Sequence, residues 1–209
     1  MTQTESLSPD GTRRDHLQAL VAARFERSIQ IPQTFFTTEA DRIAQACLAM
    51  ASRFHRGGRL IAFGNGAWAS DAQHVSVEFV HPVIVGKRAL PALALTAYAD
   101  GALIGGSPGT MQFARQLTLL ARPQDIAMGF SFDGEDLNIL EALILAKSKG
   151  LLTLGLTSGE GGALAQAGLD FCFRVESDDP VTVQETHETL YHVLWELVHI
   201  FFEHEGLLS

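Results

Sequence analysis

The sequence has few cysteines and no long apolar run. Its 209 residues contain two cysteines, Cys47 and Cys172, which stand among apolar residues and lack the spacing of a metal-binding set. A chain of this length can bury a full core without disulfides. We therefore expect both cysteines to be free thiols that are buried like small hydrophobic side chains, in a reducing cytoplasm. No stretch reaches roughly 18 apolar residues, and the first thirty residues lack a signal-peptide core. These absences predict a cytoplasmic protein that does not contact a membrane.

Positive charge is also scarce. Lys and Arg number 15 against 24 Asp and Glu, which gives a formal charge of −9. The only basic cluster is Arg53, Arg56 and Arg59, around a Gly-Gly turn. Because nucleic acid is bound mainly through its phosphates, we expect no direct nucleic-acid binding.

Short apolar runs alternate with helical patterns along the chain. We predict five strands, at residues 60–63, 91–96, 125–130, 151–156 and 170–175. Because each is apolar on both faces, they indicate a parallel sheet with helices on both sides. The predicted fold class is α/β, a doubly wound three-layer α/β/α arrangement with N-terminal helices and a long C-terminal helix.

The N-terminal part has no strand pattern. Residues 1–12 are polar and predict a frayed or disordered terminus, followed by one domain over 13–209. Apolar residues at helical spacing predict a first helix from Arg13 to about Pro32. Thr38 resembles an N-cap, and a second helix is predicted from there to Gly57 and Gly58.

The stretch 60–80 combines a strand, a glycine turn and a polar helix. Gly64-Asn65-Gly66 ends the strand, and a helix is predicted from Trp68 or Ala69. The N-terminus of such a helix favours anions. This loop, the loop at Thr96 and the loop at Ser131 are predicted at one edge of the sheet, where ligands of such folds bind.

His74 and Glu78 lie one turn apart on this predicted helix. An imidazole and a carboxylate at that spacing can share a divalent metal or act as an acid–base pair. The alternative is a solvated surface pair, which spacing alone does not exclude.

Four motifs in order resemble the sugar isomerase (SIS) domain, and most of all the phosphoheptose isomerases. They are GNGAWASDAQHVSVEFV, SFDGEDLN, LTLGLTSGEGGALAQAGLDFCFRV and VQETHETLYHVLWELV. The resemblance runs from about residue 40 to 205. It implies a flavodoxin-like SIS fold. It also implies conversion of sedoheptulose 7-phosphate to a heptose 7-phosphate, although non-enzymatic relatives bind the replication initiator.

The resemblance also implies a metal and acid–base set. His74, Glu78, Gln184 and His192 match the family's zinc ligands. Glu78 and His192 match its proton-transfer pair, which moves hydrogen between C1 and C2 through an enediol. On the same predicted helix His187 lies near by, whereas Glu185 and Glu188 are expected to face elsewhere. The alternative for these residues is a hydrogen-bonded network at a subunit interface.

The family's phosphate-binding turns are altered here. The implied ligand-binding residues are Asn65, Gly66, Ala67, Trp68, Ser131, Asp133 and Asp136. The family has G-N-G-G-S and S-T-S-G-N-S, whereas this chain places Phe132, Asp133 and Asp136 where hydroxyls are expected, with Glu135 adding charge. Pro82 stands where the family has an arginine. Tyr98 stands where the family has an acidic residue, although Asp100 is close by.

The acidic residues of the second turn have two interpretations. Carboxylates repel phosphate, but acidic residues are also favourable in the first turn of a helix and could simply cap it. Trp68 is suited either to stacking on a planar ligand or to a domain or subunit contact.

Three functions follow from these patterns. The first is a zinc-dependent isomerase of phosphoheptose isomerase type. The second is a SIS-domain binding or regulatory protein that recognises a sugar derivative or a protein partner without catalysis. The third is a maturation accessory that handles metal.

The apolar stripes on the first and last helices predict a homo-oligomer. The last helix contributes Trp195, Leu197, Phe201 and Phe202 to these stripes. The family resemblance implies a homotetramer whose sites are built at subunit junctions.

Overall fold

The computed structural model describes residues 9–95 and 111–204, with side chains from residue 13 onward. Six helices and five strands are formed by these residues. In chain order they are α1 (Pro9–His55), β1 (Leu60–Gly64), α2 (Trp68–Val80), β2 (Ala92–Ala94), α3 (Gln112–Leu120), β3 (Ile126–Phe130), α4 (Leu137–Ser148), β4 (Leu152–Ser158), α5 (Gly162–Gln166), β5 (Phe171–Val175) and α6 (Pro180–Glu203).

The five strands form one parallel sheet in the order β2-β1-β3-β4-β5. Leu60 of β1 lies between Ala92 of β2 and Ile126 of β3. All five predicted strands and their parallel arrangement are confirmed. The strand order reverses direction between β1 and β3, so the loops after these two strands lie side by side at the carboxyl edge. Ligands bind at this position in doubly wound folds. The predicted third loop, at Thr96, lies outside the described residues.

Two apolar clusters cover the faces of the sheet. One unites β-strand side chains with α1, α2 and α6, including the buried Met50, Phe79 and Trp195. The other packs α3 and α4 on the opposite face through residues such as Phe113 and Leu143. The three-layer α/β/α fold class is therefore confirmed.

The N-terminal region differs from the prediction of two helices. α1 is a single helix of 47 residues with Pro32 inside it. The expected N-cap at Thr38 is wrong, because the helix passes through that position without ending. Ile31 and Phe35 pack against the core on either side of Pro32, so burial offsets the hydrogen bond that proline cannot make. The helix begins at Pro9, so residues 9–12 are helical, whereas residues 1–8 lie outside the described range.

The cysteines behave largely as expected. Cys47 is fully buried, and burial raises the pKa of its thiol to about 12. Cys172 is only half-buried, although desolvation raises its pKa too. Among the described residues, none of the helices has both the length and the apolar composition of a membrane span.

The proline inside α1 gives a test of this helix. We expect Pro32→Ala to raise the free energy of unfolding by about 1–3 kcal/mol, because alanine restores the N–H donor and removes the ring's clash with the preceding turn. Urea denaturation followed by far-UV circular dichroism measures this change. Gln33→Ala, at the exposed neighbouring position, is the control and should gain only a few tenths of a kcal/mol. Equal effects of the two variants would contradict a continuous helix through Pro32.

Candidate metal and acid–base site

Three side chains from α2 and α6 converge at the surface between these helices. His74 and Glu78 lie one turn apart on α2, and His192 approaches from α6. His74 Nε2 is 3.3 Å from Glu78 Oε1, and His192 Nε2 is 4.0 Å from the same oxygen. One ligand atom from each residue lies within 4.8 Å of the others. The structure thus brings together three of the four residues that the family resemblance implies for a metal and acid–base set.

The donor set fits a divalent cation. Two imidazole nitrogens and a carboxylate oxygen are zinc ligands, and ligands at ~2.1 Å from a tetrahedral ion lie roughly 3.4 Å apart. His74 Nδ1 is 2.9 Å from the Tyr191 hydroxyl and 3.4 Å from Glu188 Oε1. Metal-binding histidines usually donate their second ring N–H to such oxygens, which leaves the other nitrogen for the metal. His74 Nε2 is therefore the nitrogen free to bind a cation.

Gln184 adjoins this cluster through Asp71. Its side-chain nitrogen donates to Asp71 Oδ2 at 2.8 Å and to Ser70 Oγ at 3.3 Å. Because the amide nitrogen is occupied by these two oxygens, the amide carbonyl is the group left to accept a hydrogen bond or to bind a cation.

Tyr191 and Glu188 belong to the site although the sequence analysis did not assign them to it. Glu188 was expected to face elsewhere on α6, and that expectation is wrong because its carboxylate contacts His74. Glu185 does face away, where it pairs with Arg24 at 2.8 Å. Gln184, Glu188 and Tyr191 follow the spacing i, i+4, i+7, which is one face of a helix. That spacing could have identified both residues.

Asp71 is the buried carboxylate behind the cluster. Its residue surface is 3% exposed, and desolvation raises the pKa of its carboxyl group to about 6. The hydrogen bond from Gln184 opposes this shift, whereas the nearby Glu188 carboxylate adds to it. The Tyr191 hydroxyl lies 3.5 Å from Asp71 Oδ1, and burial together with that carboxylate raises the pKa of Tyr191. Nothing in the sequence distinguished Asp71 from an ordinary acidic residue in the first turn of a helix.

His187 lies on α6 and is fully buried, in contact with the rings of Trp68 and Phe130. Its Nε2 is 3.1 Å from the Thr157 carbonyl oxygen, so this nitrogen carries the proton. Within the part of the chain that the structure describes, its Nδ1 has no hydrogen-bond partner. Burial lowers the pKa of His187 to about 4, so the ring is neutral. The Trp68 ring packs edge-on against this imidazole at a centroid distance of 5.6 Å.

The two turns at the sheet edge are bonded to each other. Asn65 Nδ2 donates to Asp136 Oδ1 at 2.7 Å and to Asn138 Oδ1 at 2.9 Å. The Ser131 hydroxyl donates to the other oxygen of Asp136. Gly66, with a φ of 54°, and Ala67 are exposed at the first turn. Asp136 stands at the N-cap position of α4, but its carboxylate bonds to side chains and not to the helix end.

The remaining residues of the second turn also have partners within the chain. Asp133 Oδ1 accepts a hydrogen bond from the Glu135 N–H at 3.0 Å, and Glu135 Oε1 accepts one from the Ala163 N–H at 3.1 Å. Phe132 stacks on Trp68, with ring centroids 5.9 Å apart and an interplanar angle of 13°. Trp68 therefore contacts its own chain. Tyr98 and Asp100 lie outside the described residues.

Comparisons with known proteins give a consistent result. The model of the SIS domain matches residues 25–158. The chain is 38% identical over 187 residues to a phosphoheptose isomerase of Solidesulfovibrio magneticus, covering 88% of this chain and 91% of that protein. A phosphoheptose isomerase of Thermodesulfovibrio yellowstonii is 35% identical, with coverage of 86% and 90%. The solved phosphoheptose isomerase of Neisseria gonorrhoeae superposes with a TM-score of 0.75 at 30% identity, covering 87% of this chain and 98% of the other.

The buried Asp71 predicts an unusual pH dependence of stability. The folded protein holds the Asp71 proton more tightly than the unfolded chain, whose reference pKa is 3.8, so folding binds protons between about pH 4 and pH 6. Stability from this group is therefore present below pH 4 and is lost as pH rises through 6. We expect Asp71→Asn to be more stable than the wild type at pH 7 by about 2–3 kcal/mol, with the difference shrinking towards pH 4.

Urea denaturation of metal-free protein at pH 4, 5, 6 and 7 measures this difference. Asp41→Asn removes an exposed carboxylate from α1 and controls for the change in net charge. A difference between Asp71→Asn and wild type that stays constant across these pH values would contradict the assignment.

Proposed function

The chain belongs to the SIS domain family, and we propose on that basis that it is an aldose–ketose isomerase of phosphoheptose isomerase type. The proposed reaction acts on a sugar of the sedoheptulose 7-phosphate type, through an enediol and with zinc. The observation that carries the proposal is the convergence of His74, Glu78 and His192, with one ligand atom from each within 4.8 Å of the others.

The reaction needs groups that move a proton between two carbons. A base must remove a carbon-bound proton, and an acid must protonate the neighbouring carbonyl oxygen. Glu78 and His192 are 4.0 Å apart, so both can reach adjacent atoms of one small substrate. Glu78 has a side chain only 14% exposed, so little water competes with a substrate for its carboxylate.

Zinc would be held by His74, Glu78, Gln184 and His192. When bound, zinc would supply positive charge that stabilises the enediolate. Tyr191 and Glu188 hold His74 through Nδ1, and Asp71 holds Gln184 through its amide nitrogen. These contacts support the proposal because they restrict the orientation of the His74 ring and the Gln184 amide.

Recognition of a sugar derivative or protein partner without turnover is the second candidate function. One observation favours it: the turns after β1 and β3 are closed by contacts within the chain, above all the Trp68–Phe132 stack and the bonds to Asp136. The acid–base cluster favours the isomerase, because a binding module does not need an acid–base pair.

We also propose that the chain forms a homotetramer. The exposed large apolar residues in the N-terminal half of α1 form one stripe of the helix: Leu17, Leu20, Val21, Phe25 and Ile29. The expected stripe on α6 is mostly covered within the chain, since Trp195 is buried and Leu197, Phe201 and Phe202 pack against the core. The α1 stripe is thus the surface that supports assembly.

Metal content tests the isomerase proposal. We expect about one zinc per chain in protein purified without chelators, and its loss in His74→Ala, Glu78→Gln and His192→Ala, because each change removes a ligand. Mass spectrometry of the metal and solvent deuterium incorporation into sedoheptulose and sedoheptulose 7-phosphate are the measurements. His81→Ala, an exposed histidine just after α2, is the matched control and should keep its zinc.

The outcomes separate the two candidate functions. Zinc with deuterium incorporation supports the isomerase. Zinc without incorporation into either sugar would favour recognition without turnover. Wild-type protein that contains no zinc would mean that His74, Glu78 and His192 form only a structural contact.

The α1 stripe tests the tetramer. We expect wild-type protein to have a mass near four times the 22.6 kDa of one chain at micromolar concentration, and Phe25→Arg to dissociate it, because a charge would be buried in an apolar contact. Analytical ultracentrifugation measures both. Ala19→Arg, on the opposite face of α1, should leave the mass unchanged, and a monomeric wild type would overturn the assembly.

A further inference from the structure

Basic residues collect at the amino ends of the strands, at the edge of the sheet opposite to the turns after β1 and β3. We define the amino-edge face as residues 53–59, 118–125, 147–150 and 168–170, which lead into β1, β3, β4 and β5. It contains six of the chain's 15 Lys and Arg but only two of its 24 Asp and Glu. The face therefore has a formal charge of +4, whereas the rest of the chain, with nine basic and 22 acidic residues, has −13.

Hydrogen bonds join these four segments into one surface. Arg53 Nη1 donates to the carbonyl oxygens of Pro123 at 2.6 Å and Gly150 at 2.8 Å. Lys147 Nζ donates to the Gly168 carbonyl oxygen. Because these acceptors carry no net charge, the bonds fix the positions of the cations and leave their positive charge on the surface.

Both carboxylates of the face are engaged within the chain. Asp125 is fully buried, pairs with Arg59 at 2.9 Å and accepts a hydrogen bond from the Arg122 backbone N–H. Asp170 Oδ2 accepts from the backbone N–H and from the hydroxyl of Thr153. Among the described residues, Arg59 is the one basic side chain of this face that forms an ion pair.

One acidic residue of α6 lies beside the face. The Phe202 ring contacts the His55 ring, with centroids 6.5 Å apart, so the end of α6 adjoins the end of α1. Glu203 follows Phe202 and pairs with Lys87. Its charge is thus balanced by a lysine outside the face.

Two arginines of the face are free to bind a partner. Arg56 and Arg122 are exposed, and their guanidinium groups form no hydrogen bond or ion pair with the residues that the structure describes. Leu119 and Leu120, close to Arg122 in the chain, are 86% and 46% exposed. A guanidinium group can bind a carboxylate through two parallel hydrogen bonds. The face therefore offers unpaired cations next to exposed apolar side chains.

We propose that the amino-edge face docks an acidic segment of another protein. Glu or Asp side chains of the segment pair with Arg56 and Arg122, and an apolar side chain covers Leu119. A short segment fits within the basic face. A nucleic-acid duplex carries one negative charge per ~1.7 Å and would extend past the face towards the acidic remainder of the chain. The exposed leucines also favour a protein segment, because phosphates make no apolar contact.

This docking is independent of the proposed isomerase and of the proposed tetramer. The face lies at the opposite end of the strands from the turns after β1 and β3. Arg53 is about 36 Å along α1 from Ile29, the last residue of the α1 stripe. Assembly through that stripe consequently leaves the face accessible.

Two short peptides test the proposal. One repeats Glu-Glu-Leu-Leu and the other repeats Glu-Glu-Ser-Ser, and both are N-acetylated and fluorescently labelled. Anisotropy titrations are carried out near physiological ionic strength, where weak long-range attraction is screened. We expect wild-type protein to bind the leucine peptide about five-fold tighter than the serine peptide, because only the former covers Leu119.

Single substitutions locate the binding surface. We expect Arg56→Glu and Arg122→Glu each to weaken binding of the leucine peptide about five-fold, because a carboxylate would replace a guanidinium partner. Arg27→Glu makes the same change of charge at an exposed position of α1 outside the face, and it should leave the affinity unchanged. Leu119→Ser should remove the preference for the leucine peptide and leave binding of the serine peptide as it was.

Carbodiimide cross-linking gives a second readout, because it joins a carboxylate to a neighbouring lysine. The chain has three lysines, of which Lys147 and Lys149 lie in the face and Lys87 lies outside it. We expect mass spectrometry to find the leucine peptide attached to Lys147 or Lys149, and less of this product in Arg122→Glu.

Several results would overturn the proposal. They are no binding of the leucine peptide, equal loss of affinity in Arg27→Glu, or cross-links confined to Lys87. Tighter binding of duplex DNA or of phosphatidylserine vesicles than of the peptide would assign the face to a nucleic acid or to a lipid surface instead. A lower mass of Arg56→Glu in analytical ultracentrifugation would assign it to a second copy of this chain.

Discussion

The packing of α2 against α6 sets the geometry on which the candidate site depends. Both helices lie on the same face of the sheet and share one apolar cluster, which includes Val75, Phe79 and Leu194. This buried contact fixes the distance and the rotation of one helix relative to the other. His74 and Glu78 on one helix consequently lie close enough to His192 on the other for one cation to contact all three side chains. The sheet contributes by placing the start of α2 at the reversal of strand order, next to the loop after β3.

The buried Asp71 carboxylate between these helices is energetically costly but orients its neighbours. Burying the Asp71 carboxylate is unfavourable, and the hydrogen bond from Gln184 offsets only part of that cost, since the pKa of Asp71 is still raised to about 6. A hydrophobic residue at position 71 would pack without this penalty. The Asp71 carboxylate orients two neighbours of the site. It accepts a hydrogen bond from the Gln184 amide, and it lies beside the Tyr191 hydroxyl that contacts His74.

The sequence predicted those features that depend on local pattern, and missed those that depend on long-range packing. The five strands and the pairing of His74 with Glu78 follow from spacing along a single element, so residue order alone was enough to predict them. The break expected near Pro32 was wrong because Ile31 and Phe35 hold α1 together by contacts with distant residues. Asp71 was missed for the same reason, since its buried environment is created by the approach of two helices.

The turn residues limit how far similarity to relatives determines the substrate. At 38% identity over 187 residues to a phosphoheptose isomerase, the similarity extends over most of the chain. The turns after β1 and β3 are a smaller part of the chain, and they are the places where it departs from the family's pattern. In this chain Asp136 already accepts hydrogen bonds from Asn65 and Ser131, and Trp68 contacts Phe132 at the same edge. Substitutions confined to these turns leave the buried packing of α2 against α6 untouched, so the turns can differ from those of a relative while the fold stays the same.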